Sequence, residues 1–328
     1  MGIQFYERHL KSLFDVSATI ATDSFLEGSI TVKESGKTYQ IRKSIPRFLE
    51  SADNYSESFG FQWGKFRQTQ LDSYAKLNLT KNRFFSCSEW TPGEIFGKHI
   101  LEVGSGAGRF TEILLEAGAI VYSVDYSNAV EANYLNNGKH PNLFLFQADV
   151  YEIPFPNDYF DFVFCYGVLQ HTPNPDRSFA KIFAKLKPTG KISVDYYLKP
   201  DYPTVWATPK YFWRPLTVKI PASLLLRVIR LYLFFWFPFD TMIKLLPFNL
   251  GYRILARVPL PCYNYLGSGL HYWQRFNWAV LDTFDALSAQ YDLPKTKDEV
   301  EQMISRVSFL KKDVFLGGNG VVANLIKK

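Results

Sequence analysis

HILEVGSGAGRFTEILL, residues 99–115, passes from a short apolar run through a glycine-rich turn straight into a helical pattern. Glycines at a strand-to-helix turn let a ligand approach the backbone, and the helix start offers unpaired N–H groups to it. A dinucleotide fingerprint needs G-x-G-x-x-G, yet counting from Gly104 and Gly106 the third glycine would fall at 109, which is Arg109. The pattern here is Glu-x-Gly-x-Gly-x-Gly, running from Glu102 through Gly104 and Gly106 to Gly108. Its acid sits just before the turn, where a pyrophosphate would be repelled.

Outward from this turn the chain alternates strand and helix. The patterning predicts strands at 98–103, 119–124, 143–148, 161–166 and 190–197, with helices at 107–117, 128–136 and 176–186 between them. Strands spaced by amphipathic helices make a parallel sheet with helices on both faces. A helix at 296–307 resumes the pattern, and strands 308–316 and 320–326 are joined by Gly317-Gly318-Asn319. That hairpin adds an antiparallel pair to an otherwise parallel sheet.

The remaining segments differ in kind. Residues 28–48 alternate around Glu34-Ser35-Gly36 and read as a short hairpin ending at Pro46, followed by an aromatic, polar stretch at 53–75 of loop and short helices. Residues 198–295 interrupt the alternation. The +6 net charge concentrates there, because residues 200–295 hold ten Lys or Arg against five Asp, and five of the seven tryptophans lie in the same span. Four regions follow: an N-terminal hairpin module and aromatic linker at 1–90, a core at 91–197, a helical insertion at 198–295, and a final helix with its hairpin at 296–328.

With 328 residues and 47% hydrophobic content, the chain has the composition of a soluble globular protein. Met1 to Val16 carries charges among its apolar residues, so a secretory signal is not expected, and Tyr6 fails the myristoylation pattern. Three distant cysteines and five scattered histidines predict a reducing, cytoplasmic setting and no structural metal.

The motif ILEVGSGAGRFT resembles the first motif of class I S-adenosylmethionine-dependent methyltransferases, and the family's other motifs arrive in order. The resemblance implies a Rossmann-like sheet and S-adenosylmethionine as cofactor. It places Glu102 near the methionine amino group, with the backbone of Gly104, Ser105, Gly106 and Gly108 around the cofactor. Asp125, with Tyr126 beside it, would hold the ribose hydroxyls, a chemically apt role for a carboxylate. Asp149 would read the adenine amino group, with Val150 beside it. Tyr166, Gly167, Gln170 and His171, in FDFVFCYGVLQHTPNP, match the fourth strand and the loop after it. A weaker resemblance at 44–73 is to the linker of bacterial methyltransferases with a small zinc-ribbon-like module ahead of the core. Here the first cysteine is Cys87, so such a module would stand on packing alone. Residues 281–304 resemble the end of the insertion in other members of the family.

Methyl transfer from a sulfonium is an in-line displacement, so alignment and exclusion of water do most of the work. For a hydroxyl acceptor His171 is the candidate general base; packing beside the cofactor is the plain alternative. Tyr55, Phe59, Trp63 and Phe66 read either as an aromatic lid or as simple packing, and Asp282 and Asp285 either as acceptor contacts or as a solvated face.

The insertion carries two readings as well. Its apolar run at 222–237 is broken by Arg227 and Arg230, and the uncharged stretch that follows them, 231–239, is too short to span a bilayer. Residues 220–260 then either lie on the inner face of a membrane, making the protein peripheral, or bury their apolar faces against the core or a second subunit. The expected activity is methyl transfer, O-methylation foremost, to a small-molecule, sugar or lipid-linked acceptor. Quinone-type C-methylation, RNA methylation and a non-catalytic cofactor-binding partner are the alternatives. Trp and Phe richness with few clustered Lys disfavours nucleic acid.

Overall fold

A computed structural model describes residues 5–20, 25–49, 56–200 and 208–328. Their centre is the expected parallel sheet: β5 (His99–Val103), β6 (Ile120–Asp125), β7 (Leu143–Ala148), β8 (Phe160–Cys165) and β9 (Leu186–Tyr197). They lie in the order β7-β6-β5-β8-β9, so the chain reverses direction across the sheet between β5 and β8. In open α/β sheets ligands bind outside the carboxyl ends of the strands at such a switch point. At the far edge β11 (Gly320–Lys327) pairs antiparallel with β9, and β10 (Phe309–Gly317) with β11.

The N-terminal strands continue this sheet. β1 (Phe14–Ile20), β2 (Leu26–Val32), β3 (Thr38–Arg42) and β4 (Ile45–Phe48) form an antiparallel meander, and β4 pairs in parallel with β7. The expected hairpin at 28–48 is therefore three of four meander strands, β2 to β4, in one 11-stranded sheet. Its inward residues, Phe14, Ile30, Ile41 and Phe48, share a core with Phe144 and Phe146 of β7. Period-two alternation puts those side chains on one face.

The helices follow from local sequence. In the aromatic linker α1 (Glu57–Lys65) and α2 (Leu79–Ser88) form; between the parallel strands lie α3 (Arg109–Glu116), α4 (Ala129–Asn137) and α5 (Pro175–Ala184). α3 buries Phe110, Ile113 and Leu114 at helical spacing against the sheet, and Pro175 at the start of α5 follows Asn174, whose side chain caps the helix. In the insertion are α6 (Pro209–Thr217), α7 (Ala222–Lys244), α8 (Leu250–Leu255) and α9 (Tyr272–Ser288). α10 (Lys297–Ile304) opens with a capping box between Thr296 and Glu299.

α7 revises one expectation. It is a single 23-residue helix which, by length and composition, is long enough and apolar enough to cross a membrane. One face is nonetheless committed to protein, since Leu225, Leu226, Ile229, Leu233 and Phe237 pack with Val280, Leu281 and Phe284 of α9. The other face is exposed.

Candidate functional site

At the carboxyl ends of the parallel strands lies a cavity of about 400 Å³ whose wall is shared by the glycine turn, the β8 loop, α1 and the insertion. The turn holds its shape because Gly104, Gly106 and Gly108 adopt φ of +79°, +53° and +85°, which L side chains rarely tolerate. A Cβ on Gly106 would stand 2.9 Å from the Trp63 indole, so α1 closes directly onto the turn. Gly108 serves packing: a Cβ there would meet Asn133 at 2.1 Å.

Asp125, at the end of β6, accepts hydrogen bonds from the Gly106 N–H (2.9 Å) and from the Ser127 N–H and hydroxyl (2.8 and 2.7 Å). Burial raises its pKa against the pull of these donors. Beside it on the wall are Tyr126 and Val150, and across the turn Ser105, Tyr166 and Gly167. The Gly167 N–H donates to Asp195, which also pairs with Arg83 at 2.8 Å.

Four expected contacts lie off the wall. Glu102 is buried behind it, accepting from Thr111 (2.5 Å) and Ser123 (2.7 Å), because β5 directs this side chain towards α3 and β6. Burial pushes its pKa up to about 7, and its Oε1 has no partner. Asp149 caps the turn after β7 by accepting from the Tyr151 N–H at 2.9 Å. Gln170 is fully buried with both side-chain polar atoms unpartnered, and Gly108 packs on α4. Tyr55 lies outside the described residues.

His171 is on the wall and nearly buried. Its Nδ1 lies 2.8 Å from the Tyr291 carbonyl, and its Nε2 is buried without a partner among the described residues. A carbonyl only accepts, so Nδ1 carries the proton and Nε2 the lone pair. Phe59 of α1 and Tyr197 at the end of β9 flank the ring, each at a centroid distance of 5.3 Å. Trp63 and Phe59 line the cavity, and Trp63 also packs with the insertion core to which Phe66 belongs.

The insertion supplies the far wall. Asp282 and Asp285, on α9, both face the cavity. Asp282 accepts from the Tyr265 hydroxyl and from Gln70 (3.2 Å), and burial pushes its pKa up to about 6. Gln70 also takes a 2.6 Å hydrogen bond from Arg109, whose pKa burial and the nearby Arg83 push down to about 10. Asp285 accepts from Gln62 and Tyr197, each at 3.3 Å. Of these groups Arg83, Arg109, Gln62, Gln70, Tyr197 and Tyr265 were not anticipated. The position of Tyr197 at a strand's carboxyl end is a usable signal, whereas Arg83 reaches the site only through the tertiary placement of α2.

Residues 101–194 match the methyltransferase domain family. A ubiquinone biosynthesis O-methyltransferase from Coxiella burnetii is 36% identical over 98 residues, covering 29% of this chain and 42% of that protein. A ubiquinone/menaquinone biosynthesis C-methyltransferase from Vibrio parahaemolyticus is 31% identical over 130 residues, covering 37% of this chain and 48% of that one. The chain thus spans less than half the length of these relatives. A solved structure from Methanococcus maripaludis, described as an S-adenosylmethionine-dependent methyltransferase, superposes with a TM-score of 0.46 at 12% identity, covering 86% of this chain and 97% of that one. The segment from β5 to β9 thus carries a match to the methyltransferase domain family. S-adenosylmethionine is the cofactor of that family, and the residues present suit it: a carboxylate at the end of β6, a glycine turn with no room for side chains, and aromatic rings above.

Proposed function

We propose that the protein transfers the methyl group of S-adenosylmethionine to a hydroxyl of a small-molecule acceptor, a sugar or lipid-linked one included, with His171 as general base. The observation that carries this reading is the 2.8 Å contact of His171 Nδ1 with the Tyr291 carbonyl, which leaves Nε2 of the neutral ring, buried and without a partner among the described residues, as the basic nitrogen of a cavity-wall residue. Asp125 would hold the ribose hydroxyls, Tyr126 and Val150 would flank the adenine, and the rings of Phe59 and Trp63 would face a cation favourably. When bound, the cofactor supplies an electrophilic methyl carbon on a sulfonium.

The chain's own work is then to orient the acceptor, exclude water and take one proton. Nε2 accepts the hydroxyl proton as the oxygen gains its bond to carbon, and the Tyr291 carbonyl steadies the resulting imidazolium through Nδ1–H. α1 and α9 wall the site on two sides, and the water they displace there strengthens the electrostatic contacts inside it. Asp282, Asp285, Tyr265 and Arg109 form a polar acceptor wall, unlike a purely hydrocarbon slot.

C-methylation of a hydroxylated ring is the second reading, favoured by the likeness to the Vibrio enzyme, which is named a C-methyltransferase. Calorimetric titration with S-adenosylmethionine and S-adenosylhomocysteine, with NAD as control, comes first. Saturable binding of the first two alone supports the cofactor; failure of both to bind a folded protein overturns the reading. Transfer of labelled methyl to hydroxylated acceptors follows, and a methyl ether as product separates O- from C-methylation.

A further inference from the structure

We propose that the exposed face of α7, continued by α8, docks the protein on an anionic lipid bilayer. At 3.6 residues per turn, Leu224, Val228, Leu231, Phe235, Phe239 and Met242 fall within about 80° of arc, a stripe roughly 27 Å long. All six are at least half exposed. They lie opposite the residues that α7 buries against α9, so the helix has one face in the protein's own core and a second apolar face with none of the described residues against it. Phe248, at the corner between α7 and α8, is 93% exposed and extends the stripe. A contiguous apolar face of this size on a single chain marks an interaction surface.

Charge decides what covers it. Between residues 208 and 281 there are nine Lys and Arg and one acid, Asp240. That acid is buried and held by Lys244 (2.9 Å) and Asn264 (2.6 Å). Lys219, Arg227, Arg230, Arg253 and Arg257 are exposed and make no ion pair among the described residues. A second copy docked through the same patch would set these cations against their own kind, since a two-fold interface is self-complementary. An anionic bilayer takes both features at once: hydrocarbon for the stripe and headgroup phosphate for the cations around it. Spanning is excluded for this packing, because the opposite face of α7 is already committed to α9.

The inference stands apart from the proposed chemistry, because docking is read without turnover. The full chain is floated with vesicles of 30% phosphatidylglycerol in phosphatidylcholine, and with phosphatidylcholine alone, in low salt and in 0.5 M salt. S-adenosylmethionine affinity and thermal midpoint serve as fold controls. The wild type is expected to float with the anionic vesicles and to bind neutral ones at least tenfold more weakly, with the preference falling in high salt. Leu231→Glu with Phe235→Glu should reduce binding at least tenfold at unchanged cofactor affinity. Should that pair fail to fold, Arg227→Gln, Arg253→Gln and Arg257→Gln together carry the test by removing the anionic preference. A wild type that stays in solution overturns the proposal, as do variants that bind as tightly as the wild type. A dimer seen by sedimentation velocity without lipid, and broken by Phe235→Glu, overturns it in favour of a self-association face.

Discussion

At the scale of single residues, three carboxyl and imidazole groups carry distinct, separable roles. Glu102 is buried with one oxygen satisfied by two hydroxyls and the other without a partner, and its pKa rises from 4.5 to about 7. Between those two values the native state binds more protons than the unfolded chain, so stability falls as pH rises through that window. Glu102→Gln keeps an acceptor for Thr111 and Ser123 and removes the charge. Without ligand it should match the wild type near pH 5 and exceed it at pH 8, by up to about 3 kcal/mol, in denaturant melts. Equal stability at both pH values would remove the burial argument. Asp125→Ala should weaken S-adenosylmethionine at least tenfold, about 1.4 kcal/mol, read by calorimetry. His171→Ala leaves the cofactor pocket standing and should lower turnover by about 10²- to 10⁴-fold at nearly unchanged cofactor affinity. A fully active variant would return His171 to a packing role.

At the scale of elements, the strand–turn–helix at 99–115 was legible because its period changes from two to 3.6 across glycines that only a tight, ligand-bearing turn requires. The five parallel strands and their helices were legible for the same reason. β1 was not read, although Phe14–Ile20 alternates apolar and polar residues at every position, with Asp15, Ser17 and Thr19 exposed, the pattern of a half-buried strand. The cavity wall was legible where a backbone position defines the placement, as at Gly104, Gly106 and Asp125. Where a side chain's direction decides, as at Glu102, Asp149 and Gln170, the sequence does not say whether the group lines the cavity, and these three lie off its wall. The far wall of the cavity was legible only at Asp282 and Asp285, since Arg83, Gln70 and Tyr265 join it from distant parts of the chain. α1 is the element most exposed to test. Gly106→Ala would place a Cβ 2.9 Å from Trp63 at φ +53°, costing about 1–2 kcal/mol in backbone strain alone. The variant should melt lower and bind cofactor more weakly. Adding Trp63→Ala should relieve the collision but not the strain, so a double-mutant cycle will be non-additive.

For the molecule as a whole, the notable join is between the N-terminal meander and the parallel sheet. Only two residue pairs define its register, Arg47 with Gln147 and Phe48 with Ala148. Arg47 reinforces it by donating to Gln147 at 2.8 Å and to Glu131 at 3.0 Å, and its side chain is mostly buried. Short joins of this kind separate cooperative units, because the backbone bonds lost on opening are few and the buried apolar contacts set the cost. The shared core of Phe14, Ile41 and Phe48 with Phe144 and Phe146 still ties the meander down. Arg47→Ala leaves a part-buried amide oxygen without its donor, while Lys43 continues to hold Glu131 at 2.9 Å. The expected loss is about 1–2 kcal/mol. Native-state hydrogen exchange should show it as faster exchange in β2 to β4, with β5, β6 and β8 as protected as before. Uniformly faster exchange across all eleven strands would instead make the sheet a single cooperative unit, with β4–β7 as strong as any other pairing in it.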